Sequence, residues 1–191
     1  YINPSQDGIW LTLSSMIAWI SFFDIGFTHG LRNKFAEAKA KGDKESVRIY
    51  ISTTYYYVSI IFISLWLVLK MEKEVSQLAI LVFTYFCLQF IFRIINTILT
   101  ADQQPAMASL LDMLGQLLGL AIIFILTKTT DGSLLYLGLS VGIAPVFILL
   151  VANIYFFRTK FKNYIPSLKL VKKEFAKEIM KLGVKFFVLQ V

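Results

Sequence analysis

The sequence predicts an all-α, polytopic transmembrane helical bundle, and three observations predict it. Of its 191 residues, 57% are hydrophobic and only 16% are charged, with a mean hydropathy of +0.69. A soluble domain of that size has no use for so much apolar surface. The apolar residues are gathered into five long segments, 8–31, 49–69, 78–100, 106–127 and 133–157, and a sixth opens near Leu182. The basic residues between these segments fall mostly on one side. A helix rises about 1.5 Å per residue, so about 20 residues cross a hydrocarbon layer of about 30 Å. Each of the five segments is long enough, and soluble helices would carry a polar face that these mostly lack.

The first segment, 8–31, has no basic residues before it and no small-residue cleavage site, so it is read as a span and not a signal peptide. It follows Tyr1-Ile2-Asn3-Pro4, which has loop character without a starting Met, and the chain is read as a piece of a longer one. Asn33 to Arg48 reads as a short surface helix broken near Gly42-Asp43. The second span, 49–69, leads to the short, charge-balanced Lys70-Met71-Glu72-Lys73-Glu74. The third and fourth spans form a hairpin about Thr100-Ala101-Asp102-Gln103-Gln104-Pro105. The fifth contains Pro145, which is expected to kink the helix or free a carbonyl.

Beyond it, Leu168, Val171, Phe175, Ile179 and Leu182 recur at helical steps with lysines between them. That pattern predicts an amphipathic helix over 165–182, starting at Pro166-Ser167 and lying in the membrane interface. The organisation is therefore a bundle over 1–157, a basic amphipathic linker over 158–181 and the start of another span over 182–191. Gly26…Gly30, Gly115…Gly119 and Gly138…Gly142 each repeat glycine at a spacing that lets helix backbones approach closely.

The loops set the orientation. Arg32, Lys34, Lys39, Lys41, Lys44 and Arg48 follow the first span, and nine basic residues from Arg158 to Lys185 follow the fifth. Together with the third loop, this side carries 15 of the 19 basic residues, against Lys70, Lys73 and Lys128 on the other. Basic loops stay cytoplasmic, so the first span runs from outside to inside. The net charge of +7 has this topological explanation, and no nucleic-acid partner is expected.

Polar residues inside spans mark function or pairing. Asp24 lies in the first span, Arg93 in the third and Asp112 in the fourth. Arg93 and Asp112 are nearly equidistant from the hairpin turn, and so are Gln89 and Gln116 one turn deeper. Gln89, Arg93 and Asn96 share a helix face, as do Ser109, Asp112 and Gln116. The two stripes either pin the hairpin or line an aqueous cavity. With one cysteine, Cys87, and one histidine, His29, no disulfide and no ordinary zinc site is expected. The sequence has no phosphate loop, no G-x-S-x-G and no H-E-x-x-H, so neither an enzyme nor a cofactor is expected.

Gly8-Ile9-Trp10-Leu11-Thr12-Leu13-Ser14-Ser15, then Asp24-Ile25-Gly26 and Gly30-Leu31-Arg32-Asn33-Lys34, resembles the Wzx-type polysaccharide flippases of the multidrug/oligosaccharidyl-lipid/polysaccharide exporter superfamily. Glu37-Ala38 and Ile51-Ser52-Thr53-Thr54-Tyr55 fit the same pattern, and Lys181-Leu182-Gly183-Val184-Lys185-Phe186-Phe187 looks like the start of the family's seventh helix. Asp7 departs from it, standing where the family often has an aromatic residue. The resemblance implies one lobe of a two-lobe transporter, lacking the first helix, in a bacterial cytoplasmic membrane. It implies alternating access that moves undecaprenyl-diphosphate-linked oligosaccharide between leaflets, beside polysaccharide polymerase machinery. On that reading Arg32 and Arg93, with Asn96, Gln89 and Gln116, line the cargo path, and Asp24 and Asp112 take a coupling proton or sodium ion. A drug/cation antiporter of the same superfamily and a membrane-embedded polysaccharide-assembly enzyme stay open as alternatives.

Overall fold

The computed structural model describes Leu11 and residues 25–71, 77–130 and 134–190. Six α-helices lie among them: α1 Ile25–Ala40, α2 Lys44–Met71, α3 Gln77–Ala101, α4 Pro105–Thr129, α5 Leu134–Arg158 and α6 Lys173–Gln190. Single 3-10 turns at Lys162–Tyr164 and Leu168–Leu170 join α5 to α6, and no strand occurs among the described residues. The chain is an all-α helical bundle. Four helices are long and apolar enough to cross a membrane: Lys44–Val68, Ala79–Ala101, Pro105–Thr129 and Gly138–Arg158. These are the second to fifth expected spans, and they mark a multi-pass membrane protein. Most of the first span, with Asp24, lies outside the described residues.

Local chemistry ends the helices where the sequence allows. Gly42 turns the chain at φ +73°, a conformation that suits a residue without Cβ. The Asp43 carboxylate then accepts the Ser46 N–H at 2.9 Å, capping the first turn of α2. In the α3–α4 turn Gln103 takes φ +62°, and Pro105 opens α4 where no amide hydrogen is needed.

Two expectations are corrected here. Asn33 to Arg48 is not a separate surface helix: α1 runs unbroken from the expected first span to Ala40, and residues 44–48 already belong to α2. The helix expected from Pro166 starts only at Lys173. Proline disfavours helical geometry at Ile165, and the amides of Ser167 and Lys172 donate to the hydroxyls of Ser52 and Thr53 on α2 instead of to helix carbonyls. The part of its apolar stripe that lies on α6 packs on protein. Ile179 is fully buried and Phe175 stacks on Tyr50 of α2 with ring centroids 4.6 Å apart. A Cβ on Gly30 of α1 would overlap the Ile179 carbonyl, so α1 and α6 touch backbone to backbone there. The same helix continues past 181 to Gln190.

Helix α3 is central and packs against α1, α2, α4 and α5. Its Ile95, Ile98 and Leu99 are fully buried, and Phe86 and Phe90 stack with Phe62 of α2. Helices α4 and α5 are held close by Gly115, where an added Cβ would lie 3.1 Å from Pro145 Cα. On the outside the pattern inverts: Leu117, Leu120, Phe124 and Ile125 of α4 and Phe147, Val151 and Ile154 of α5 are exposed, as lipid-facing side chains are. Lipid removes the hydrophobic drive between helices, so close packing and interhelical hydrogen bonds hold such a bundle. Asn153 supplies two: its amide donates to the Phe92 carbonyl of α3, as well as to Leu149 on its own helix, and its oxygen accepts the hydroxyl of Tyr55 on α2 at 2.6 Å.

Candidate functional site: a cationic cavity between three helices

Arg93 is eight residues before the end of α3, about 12 Å along the axis. Asp112 is seven residues into α4. The hairpin therefore places them side by side, with Nη2 of Arg93 3.7 Å from Oδ2 of Asp112. Neither is dry: the side chains are 48% and 40% exposed. The other carboxylate oxygen, Oδ1, accepts the Asn96 amide at 2.9 Å. The depth match in the sequence thus yields a contact, one longer than a hydrogen bond and open on one side.

That opening is a cavity of about 340 Å³ lined by Thr28, His29 and Arg32 of α1, Arg93, Asn96, Thr97 and Thr100 of α3, and Pro105, Ala108, Ser109 and Asp112 of α4. Four of the sequence-predicted site residues meet here: Arg32, Arg93, Asn96 and Asp112. Gln89 and Gln116 do not line it, although they match in depth. Gln116 is exposed, and Gln89 is half-buried higher on α3. The polar stripe runs the other way, toward the hairpin turn, through Thr97 and Thr100. Those threonines lie four residues past Arg93 and Asn96, so extending the face by one turn would have found them. Asn96 is buried, and its side-chain oxygen Oδ1 meets no donor among the described residues. The lining thus offers two guanidinium groups against the one Asp112 carboxylate, with hydroxyls and one open acceptor, a surface for an anion bearing hydroxyl groups.

A second polar centre lies beneath the cavity. Asp102, which reads in the sequence as a turn residue, is buried and receives both Lys39 at the end of α1 and Lys160 after α5. One carboxylate therefore ties three segments that are distant in sequence. Burial, together with the charge of Lys160 beside it, holds the Lys39 ammonium below the usual lysine range, and burial lowers Lys160 too. The ends of α1, α3 and α5 lie together, so the first, third and fifth loops share a side, as the charge count requires. Among the described residues no cluster of His, Cys, Asp or Glu could hold a metal ion. Comparisons with family models, curated proteins and solved structures give no match, and what the chain does is argued from the cavity itself.

Proposed function

We propose that this chain forms one lobe of a transporter that moves a lipid-linked, anionic saccharide across the bacterial cytoplasmic membrane, as the Wzx-type flippases do. The observation that carries the reading is the convergence of Arg32 and Arg93 on one cavity at the basic end of the bundle. The cargo is a polyprenyl-diphosphate oligosaccharide whose chain stays in lipid while the diphosphate and sugar cross a polar path. Arginine suits the diphosphate because its planar fork pairs with two oxygens at once. Hydroxyls of Thr97, Thr100 and Ser109 and the open Asn96 oxygen suit sugar hydroxyls. Asp112 shares the cavity, and it is the observation that favours the second reading, a cation antiporter.

Reconstitution of the intact protein in vesicles tests this. A labelled polyprenyl-diphosphate oligosaccharide is expected to change leaflets, and Arg32→Ala or Arg93→Ala to reduce that rate more than the protein level. Arg→Lys retains activity at a simple charge site and loses it at a bidentate one. Transport of organic cations alone, abolished by Asp112→Asn, would give the cavity to the antiporter.

A further inference from the structure

The connection between α5 and α6 has a shape that transport does not require. Residues 158–173 contain six basic residues and no acidic one. Their backbone is docked on the span α2: Arg48 donates to the Ile165 carbonyl at 3.1 Å, Ser167 N–H donates to Ser52 Oγ at 3.0 Å, and Lys172 N–H donates to Thr53 Oγ1. Tyr164 packs edge-on to Phe35 of α1. From this fixed platform Leu168 projects outward at 78% exposure, the highest of any large apolar side chain among the described residues, with Ile165 beside it at 46%. Lys162, Lys169 and Lys173 flank them, and no carboxylate among the described residues pairs with any of the three.

The depth of the platform identifies what covers it. Ser52 lies eight residues from the start of α2, about 12 Å along the helix, so residues 165–172 run beside the ends of the spans and not free of them. An apolar tip ringed by uncompensated lysines at that level matches a headgroup layer, with anionic groups for the ammonium ions and acyl chain just below for the leucine. We propose that residues 161–172 are a membrane-interface anchor that seats Leu168 and Ile165 among anionic phospholipid headgroups on the basic side. It is independent of the cargo assigned to the cavity.

Nitroxide labelling of Leu168→Cys, in a Cys87→Ser background, measures this in vesicles of phosphatidylethanolamine and phosphatidylglycerol. Leu120→Cys on the lipid face of α4 and Lys41→Cys on the exposed α1–α2 turn serve as references. The expected result is several-fold lower accessibility to a water-soluble nickel complex at 168 than at 41, with oxygen accessibility between the two references. Changing Lys162, Lys169 and Lys173 together to glutamine, or replacing the lipid with phosphatidylcholine, is expected to raise nickel accessibility at 168. Accessibility equal to that at 41 overturns the anchor. So does shielding that persists unchanged in neutral lipid and in the glutamine variant, which would place a protein surface over the tip.

Discussion

Replacing Asp102 tests how the basic end of the bundle is held. Its side chain is 2% exposed, while those of Lys39 and Lys160 are 44% and 35% exposed. Each charge-assisted bond contributes about 1.5–3 kcal/mol where water is excluded. Lysines this exposed recover roughly half of that by rehydrating. Asp102→Asn, which loses both, is then expected to cost about 1.5–3 kcal/mol. Removing either lysine alone should cost about 1 kcal/mol, because the other still neutralises the carboxylate. Changing both lysines to glutamine strands a buried charge and should cost about 3–5 kcal/mol, more than the two single changes together. Denaturing-detergent titration of the purified protein, followed by helical circular dichroism, gives all four values. An Asp102→Asn variant within about 0.5 kcal/mol of the parent, or lysine changes that merely add, would refute the shared-carboxylate account.

Three more expectations follow from other sites. Because the Arg93–Asp112 pair is open on one side, Asp112→Ala should cost about 1 kcal/mol and not the 3–5 kcal/mol of a dry pair; a loss above about 3 kcal/mol in the same titration would mean the cavity is closed. Single cysteines at Ser46, Ser76 and Ser133 in a Cys87→Ser background should react with an impermeant thiol reagent on intact cells at 76 and 133 but not at 46, and the reverse would invert the topology. The contact between α1 and α6 should depend on pH in a fixed sense. Burial opposes the charge of Lys34, but the carboxylates of Glu37 and Glu178 outweigh it and hold its pKa above 10.5. Hydrogen bonds from Lys41 and Lys34 hold Glu37 below 4.5. The advantage of the parent over Lys34→Gln in thermal midpoint should be complete below pH 10.5 and vanish as pH rises through the raised folded value. The Glu37 contribution is complete above pH 4.5 and is lost as pH falls through its lowered one. A Lys34 advantage that grows in alkali would contradict the assignment.

What could be read from the sequence was whatever depended on local runs and short counts. Spans two to five match α2 to α5 within a few residues because an apolar run and a helix crossing lipid have the same length. Arg93 and Asp112 could be paired because only a short turn lies between them, and counting outward fixes their depth. The end of α1 was misread because charge entering the pattern marks where the membrane stops, not where the helix stops. The segment after α5 was misread because its periodicity competes with amide partners on another helix, Ser52 and Thr53, which lie 115 and 119 positions away. Asp102 gave no signal at all: its partner Lys39 is 63 residues distant, and an acidic residue in a turn is ordinary. Asn153 escaped for a similar reason, since a single amide in an apolar helix does not reveal that Tyr55 and the Phe92 carbonyl will meet it.

The docking of residues 165–172 on α2 also sets the order in which the bundle can be completed. Ribosomes deliver α2 to the membrane long before Ser167 and Lys172 exist. Until then the Ser52 and Thr53 oxygens have no amide from that segment to accept, and Asp102 has only Lys39. The Ser52 hydroxyl bonds back to the Arg48 carbonyl at 2.8 Å, so its hydrogen is satisfied from the start while its lone pairs wait. The second lysine of the Asp102 centre and the clasp on α2 both arrive between Lys160 and Lys172, just after α5 ends. Insertion of the four long spans and closure of their basic end are therefore separate events, and a nascent chain halted at Arg158 would hold its helices across the bilayer with that end unfastened.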